Sequence, residues 1–267
     1  MPSQDSRRFG SLIPLAEYSP RVTTLIAVGR HVGAASLAGV ITGIVVGGLL
    51  GRAVMRVSGF TSGPALVGSL TSNGNRVGDV TFAGTAGLIL FVGLATGLVG
   101  GVLYGAVEPW LRRLRPWHGL AFGVALLATF GFSVLDPSNI DFKRFGSPQL
   151  NVAMFAGLFL GFGIGVAWLF DRLRALIAGT GTAARVAEIL AWLTLVPAVV
   201  VTVLVAGSVT GLADPLYPIL FVVALLFATF ARWRRLPLPI GYAALAAPVV
   251  VGASRTIGDV AEMLAGL

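Results

Sequence analysis

Between Thr81 and Val107 the chain reads TFAGTAGLILFVGLATGLVGGVLYGAV. This stretch contains no charged side chain and exceeds the about 20 apolar residues that a helix needs to cross a bilayer. Its second half carries glycine at every fourth position, from Gly93 to Gly105. Small residues at this spacing let helix backbones approach closely in lipid. The stretch therefore predicts a transmembrane helix that packs tightly against another helix.

The rest of the chain has the same apolar character. Of its 267 residues, 56% are hydrophobic and 11% are charged, whereas soluble domains carry about 25% charged residues. These proportions exclude a soluble domain, a disordered chain and a nucleic-acid-binding domain. We therefore expect an integral membrane protein whose partners are the lipid bilayer and, in addition, other membrane proteins or a second copy, with no nucleic acid.

Cysteine and histidine usage limits the possible chemistry. The absence of cysteine excludes disulfides, iron–sulfur clusters, thiolate metal sites and cysteine nucleophiles. The two histidines, His31 and His118, fall at span ends, where interfacial anchoring is the ordinary explanation and haem ligation the alternative. We predict no metal, no cofactor and no catalytic residue. Arginine greatly outnumbers lysine, a bias typical of bacteria with GC-rich genomes.

The same length criterion predicts an all-α polytopic transmembrane helix bundle with seven spans. The predicted spans are Val32–Leu50, Thr81–Val107, Leu120–Leu135, Leu150–Phe170, Ile189–Leu212, Leu216–Ala231 and Leu236–Ala253. The last contains three prolines, so six spans plus a re-entrant or interfacial C-terminal segment is the alternative. Residues 1–31 are expected to form a cytoplasmic N-terminal segment with an interfacial helix, residues 32–253 the bundle, and residues 254–267 an amphipathic helix.

Glycine ridges on three spans predict glycine-zipper packing at the centre of the bundle. The predicted helix-packing residues are Gly39, Gly43, Gly47 and Gly51, then Gly93, Gly97, Gly101 and Gly105, and finally Gly157, Gly161 and Gly165. There are two alternatives. The protein could associate with a second copy through an unused ridge, or the ridges could line a groove for a solute or lipid tail.

Arginine placement predicts the orientation, because basic residues are retained on the cytoplasmic side of short loops. With a cytoplasmic N-terminus, thirteen basic residues lie inside and six outside. The predicted location is the bacterial plasma membrane.

The loops on the external side contain the one concentration of polar residues outside the arginine clusters. The candidate external polar site comprises Arg52, Arg56, Asp79, Asp136, Asn139, Asp141, Lys143 and Arg144. A proline turn with snorkelling arginines accounts for these residues structurally. The functional alternative is a site for a partner loop, an anionic lipid headgroup or a small solute.

Three stretches also carry a resemblance. Gly51–Arg56, the loop Asp136–Phe142 and the segment Leu150–Ala153 resemble an uncharacterised family of bacterial multi-pass integral membrane proteins. The resemblance implies a multi-pass helical fold and no established activity.

The prediction of function rests on the absence of ionisable residues from the predicted spans. As drawn, they contain no ionisable residue, although coupled transporters usually carry a carboxylate near the membrane midplane. We expect a non-catalytic accessory or scaffold subunit of a membrane assembly. A small-solute or lipid transporter or channel is the alternative, and a membrane enzyme acting at the external polar site is a third class.

Overall fold

The computed structural model describes residues 20–63, 66, 68–70, 81–139, 141, 144–209 and 238–265, and the fold is all-helical, as predicted. The α-helices are α1 (Pro20–Thr42), α2 (Gly51–Thr61), α3 (Phe82–Gly87), α4 (Ala95–Leu111), α5 (His118–Phe130), α6 (Pro148–Ile177), α7 (Thr182–Val209) and α8 (Leu238–Ala265). Wider π-helical turns at Gly43–Leu50 and Leu88–Leu94 connect α1 to α2 and α3 to α4 without a break.

Within the described residues, four helical segments are long and apolar enough to cross a membrane. They are Leu25–Thr61, Phe82–Leu114, Pro148–Ile177 and Thr182–Val205. Each overlaps one of the four longest predicted spans, but all four begin or end several residues beyond the apolar runs. The helices therefore continue into sequence that carries charge, including Arg30 and Glu108.

The three shorter predicted spans differ in how far the structure describes them. Leu120–Leu135 corresponds to α5 and a single 3₁₀ turn, Gly131–Ser133, which together form a shorter apolar helix. The predicted span Leu216–Ala231 lies outside the described residues. The described parts of the predicted seventh span and of the predicted C-terminal helix belong to one continuous helix, α8.

Local sequence accounts for where two of these helices begin. Pro148 opens α6, and the Ser147 hydroxyl oxygen accepts a hydrogen bond from the Leu150 amide at 3.2 Å. Thr81 caps α3 in the same way through the Gly84 amide at 3.1 Å. A side-chain oxygen before a helix satisfies an amide that has no partner within the helix.

The core lies between α1, α4, α5 and α6. Tyr104, Phe122 and Phe170 are buried there, and Tyr104 packs edge-to-face against both phenylalanine rings, with centroid distances of 5.1 and 5.4 Å. Small alanines of α1, Ala35 and Ala38, line the same cluster. The large rings of α4, α5 and α6 thus fill the space that the small residues of α1 leave open.

The backbones of α1 and α4 are in direct contact at their glycines. A Cβ atom at Gly97 would lie 2.6 Å from the Gly39 carbonyl oxygen, and one at Gly101 would lie 2.6 Å from the Ala35 carbonyl oxygen. A Cβ at Gly43 would lie 2.6 Å from Gly97 Cα. Real Cβ atoms essentially never approach this closely. A residue other than glycine at these positions would force the two helices apart.

The contact is looser toward the ends of the two ridges. A Cβ at Gly93 would lie 3.0 Å from the Gly43 carbonyl oxygen, and one at Gly105 would lie 2.9 Å from Ala35 Cβ. At Gly47 and Gly51 the nearest atoms are 3.5 Å and 3.9 Å away.

The predicted ridge of α6 lies in a different environment. A Cβ at Gly157 has no neighbour within 4 Å among the described residues, and one at Gly161 meets only Val46, at 3.7 Å. Gly165 lies beside Thr42, whose Cγ2 would be 2.8 Å away. The close contact of α6 is instead made by Gly163, where a Cβ would lie 2.5 Å from both Gly119 O and Gly123 Cα of α5.

Helix α8 contacts both ends of the bundle. The Tyr242 hydroxyl donates a hydrogen bond to the Trp110 carbonyl oxygen, at 2.9 Å, at the end where α4 terminates. Further along α8, the Thr256 hydroxyl oxygen accepts a hydrogen bond from the Phe132 amide, at 3.0 Å, just after the end of α5. Because α4 and α5 meet at the first of these ends and α5 terminates at the second, α8 runs along the length of α5.

Candidate functional site

Three of the predicted external polar residues, Asp136, Asn139 and Asp141, lie in a hydrogen-bonded turn after α5. The Asp136 carboxylate accepts a hydrogen bond from the Ser138 amide at 2.8 Å, and the Asn139 side-chain oxygen accepts one from the Asp141 amide at 3.0 Å. The buried Asn151 side chain donates to the Phe145 carbonyl oxygen at 2.7 Å and so ties the turn to α6. These hydrogen bonds between side chains and nearby backbone are the ones expected of a proline turn.

The arginines predicted for this site are spread along its edge. Arg56 stacks over the Phe60 ring at 5.3 Å and forms no ion pair with a carboxylate of the described residues. The Arg144 guanidinium donates to the Leu70 carbonyl oxygen at 3.4 Å, and Arg52 lies beside Gly84. Asp79 and Lys143 lie outside the described residues. None of these contacts places Arg56 next to Asp136.

Asp136 instead has acidic neighbours on α8. Burial raises the pKa of the Asp259 carboxyl above its ordinary value of 3.8, and the charges of Asp136 and Glu262 raise this pKa further. Arg255 acts in the opposite direction. Asp259 lies in the amphipathic part of α8, beyond the predicted span. The charges of two other carboxylates thus act on Asp259 at this end of the bundle, and the charge of Arg255 opposes them.

The opposite end of the bundle holds a buried charged cluster that the sequence analysis did not predict. We call it the Glu108 cluster; its members are His31, Glu108, Arg112, His118, Asp171 and Arg174. Glu108, near the end of α4, is only 3% exposed. Burying a lone carboxylate is strongly unfavourable unless cations and hydrogen bonds compensate it. The surroundings of Glu108 provide that compensation.

Cationic side chains from two segments face the Glu108 carboxylate. Arg112 Nε lies 2.6 Å from Glu108 Oε1, an ion pair that lacks hydrogen-bond geometry. Arg174 Nη1 of α6 lies 3.8 Å from the same oxygen. Two guanidinium groups therefore neutralise one buried carboxylate and connect the end of α4 to α6.

His31 of α1 completes this side of the cluster. Its Nε2 lies 3.0 Å from the Gly105 carbonyl oxygen, which can only accept, so Nε2 carries the proton. The same nitrogen is 3.9 Å from Glu108 Oε2, and the ring packs edge-to-face on Phe170. His31 is therefore part of the packed core and not an exposed interfacial anchor.

Asp171 forms the second half of the cluster. Its two carboxylate oxygens lie 3.6 Å from Arg112 Nη2 and 3.5 Å from His118 Nε2. Asp171 lies on α6, Arg112 just after α4, and His118 at the first turn of α5. This carboxylate therefore holds together the chain segment that turns from α4 into α5.

Tyr104 lies one helical turn before Glu108 on the same face of α4. Its side chain is completely buried, and its hydroxyl has no hydrogen-bond partner among the described residues. The charges of Asp171, Glu108 and Arg112 all act on this hydroxyl. An unsatisfied hydroxyl in such surroundings is unfavourable.

A further ion pair fixes α7 to α1. Arg30 Nη2 lies 2.5 Å from Glu188 Oε1, and the Glu188 side chain is almost completely buried. Both buried glutamates of the described helices, Glu108 and Glu188, thus have arginine partners from elsewhere in the chain. No group of three His, Cys, Asp or Glu residues able to hold a metal ion occurs within the described part of the chain.

The sequence does contain signals for the Glu108 cluster. Glu108 and Arg112 are four residues apart, a spacing that pairs opposite charges on one helix face. Asp171 and Arg174 are three apart and face the same side of α6. Because these residues follow the apolar runs, apolar length alone places them at the ends of spans. No sequence pattern places α6 next to the end of α4.

No family model matches the chain, and neither a curated protein nor a solved structure shows detectable similarity to it. Function is therefore inferred from the geometry of the described residues. In this geometry the buried carboxylates Glu108 and Glu188 are paired with arginines, and these pairs connect helices.

Proposed function

We propose that the chain is a seven-span protein of the bacterial plasma membrane that acts as a non-catalytic scaffold or accessory subunit of a membrane assembly. The observation that carries this proposal is the backbone contact between α1 and α4 at Gly39, Gly43, Gly97 and Gly101. Helices in van der Waals contact leave no room for a solute between them. We interpret this contact as a glycine zipper that makes the centre of the bundle rigid.

The ion pairs at one end of the bundle support the same proposal. Glu108 connects α4 to α6, and Glu188 connects α7 to α1. Groups that serve catalysis or ion coupling must be reachable by their substrate, whereas these carboxylates are buried and already paired with arginines. Rigid packing and internal pairing are typical of a structural role.

Seven crossings with a cytoplasmic N-terminus are the topology that we propose. The hydrogen bonds of Tyr242 and Thr256 favour a crossing by α8, because they lie near opposite ends of the bundle. A reporter fused after Leu267 tests this topology. Seven crossings predict an external signal, and a cytoplasmic signal would support the six-span alternative.

The scaffold role is tested by isolating the protein after cross-linking in intact membranes. A scaffold should be recovered with the same partner, or with a second copy, at a constant ratio in independent preparations. The control is a preparation cross-linked only after solubilisation, which captures incidental contacts. Recovery of the chain alone, together with solute flux through liposomes that contain it, would instead support a transporter.

A further inference from the structure

Where α4 turns into α5 and α6 ends, the described arginines outnumber the described carboxylates. Five arginines lie on two neighbouring segments, around two described carboxylates. The arginines are Arg112, Arg113, Arg115, Arg172 and Arg174, and the carboxylates are Glu108 and Asp171. Five positive charges and two negative charges leave a surplus of three.

The distribution of partners shows which arginines provide the surplus. Arg112 and Arg174 face Glu108, and Arg112 also faces Asp171. Arg113, Arg115 and Arg172 are exposed, and no carboxylate of the described residues lies within ion-pair distance of them. These three guanidinium groups are therefore available to an external anion.

The three arginines come from segments that the structure holds together. Arg113 and Arg115 lie between α4 and α5, and Arg172 lies on α6. Asp171, next to Arg172, contacts both Arg112 and His118, at 3.6 and 3.5 Å. The two segments are thereby fixed side by side.

Two exposed tryptophans accompany the arginines. Trp117 is 66% exposed and Trp168 is 60% exposed, although tryptophan is otherwise largely buried in proteins. Arg172 stacks over the Trp168 ring at 5.5 Å. Exposed tryptophan is characteristic of the headgroup layer of a membrane, and we infer that Arg172 lies at the same depth as Trp168.

We propose that Arg113, Arg115 and Arg172 bind the headgroup of an anionic phospholipid, with Trp117 and Trp168 against its glycerol and upper acyl region. Guanidinium groups bind phosphate through paired hydrogen bonds, and basic patches at the ends of membrane helices attract anionic lipid. The proposal requires only that the chain lies in a bilayer, and it is independent of the scaffold role.

The test measures quenching of tryptophan fluorescence by brominated lipid in vesicles that contain the full-length protein. Brominated phosphatidylglycerol, diluted in phosphatidylcholine, should quench more strongly than brominated phosphatidylcholine at the same fraction. This preference should decrease as salt is added, because salt screens exposed charges. Removal of each arginine should reduce the preference roughly fivefold.

The decisive variant combines Arg113→Gln, Arg115→Gln and Arg172→Gln. The matched control combines Arg56→Gln, Arg144→Gln and Arg255→Gln, which removes the same charge from three ring-stacked arginines elsewhere on the protein. We expect loss of the preference in the first protein and its retention in the second.

Three results would overturn the proposal. They are equal quenching by the two lipids in the unmodified protein, equal loss in both triple variants, and displacement of the anionic lipid by soluble glycerol phosphate. The last result would assign the site to a free phosphate compound instead of a lipid.

Discussion

Glu108 illustrates how a charged residue is accommodated inside this bundle. Its carboxylate is 3% exposed and depends on Arg112 and Arg174 for compensation. A buried ion pair adds little net stability when it replaces apolar packing, but loss of one partner leaves the other charge uncompensated. The cluster is therefore best tested by removing the charge of one member.

Glu108→Gln should destabilise the protein because Arg112 and Arg174 lose the charge that they face. Loss of one partner of a fully buried pair costs about 3–5 kcal/mol. We expect less, though at least about 1 kcal/mol, because the two arginine side chains are 35% and 50% exposed and can turn toward water. Thermal unfolding of the detergent-purified protein measures the effect. Asp171→Asn should lower the unfolding temperature less than Glu108→Gln does, because the Asp171 carboxylate is partly exposed. A larger effect of Asp171→Asn would contradict the central position of Glu108 in the cluster.

Tyr104→Phe should leave stability unchanged or increase it. The Tyr104 hydroxyl is buried without a partner among the described residues, a state that costs about 1–3 kcal/mol. Tyr242→Phe is the matched control because the Tyr242 hydroxyl donates to the Trp110 carbonyl oxygen, so its removal should destabilise. If Tyr104→Phe lowers the unfolding temperature as much as the control does, the hydroxyl has a partner that the structure lacks.

Asp259→Asn should raise stability at neutral pH. Burial and the charges of Asp136 and Glu262 raise the pKa of Asp259, so the folded protein holds this proton more tightly than the unfolded chain does. Ionisation of the carboxyl therefore opposes folding as the pH rises through the raised pKa. The advantage of Asp259→Asn should disappear below pH 3.8, the ordinary value.

The control for this prediction is Arg255→Gln, which removes the cation that lowers the pKa of Asp259. Its effect on the unfolding temperature at neutral pH should have the opposite sign. An advantage of Asp259→Asn that is constant across the pH range would show that the carboxyl charge is not its cause.

At the scale of single elements, helix contacts depend on individual glycines. Gly97 faces the α1 backbone, where a Cβ would lie 2.6 Å from Gly39 O, whereas Gly157 faces open space in the described structure. Both belong to glycine ridges with the same spacing in the sequence. The structure thus distinguishes positions that sequence periodicity treats as equivalent.

Gly97→Leu should prevent α1 and α4 from packing. Adding a large side chain to a tightly packed site costs about 1–3 kcal/mol and at times more. We expect a lower yield of monodisperse protein and a lower unfolding temperature, measured in the same detergent as for the unmodified chain. Gly157→Leu is the matched control and should resemble the unmodified protein. Equal tolerance of both substitutions would exclude the backbone contact at Gly97.

Periodicity predicts contacting helices only in part. The four long helices follow from apolar length, and the spacing of Gly93, Gly97 and Gly101 indicates a close-packing face. The contact between α5 and α6 at Gly163 was not predicted, because Gly163 lies outside the four-residue series of α6. Gly119 and Gly123 of α5 are four apart, and this pair was the available signal. The spacing of glycines within one helix does not indicate which other helix they contact, because that depends on the tertiary fold.

At the scale of the whole molecule, the interface between α1 and α4 positions the residues that contact the other helices. Contact between α1 and α4 positions His31 beside Glu108, and Glu108 in turn connects to α6. Arg30, the residue before His31 in α1, connects α1 to α7. The central claim is therefore that α1 and α4 lie against each other, with Ala35 facing Gly105.

Disulfide trapping in native membranes tests this claim most directly, because the chain has no cysteine of its own. A Cβ at Gly105 would lie 2.9 Å from Ala35 Cβ, so a slight separation of the two helices brings the pair into the range of about 3.5–4.5 Å found in disulfides. Mild oxidation of the Ala35→Cys/Gly105→Cys protein should form an intramolecular disulfide, while Ala35→Cys/Gly157→Cys should not cross-link. If both thiols of the first pair react with a maleimide but no disulfide forms, α1 and α4 do not pack as described.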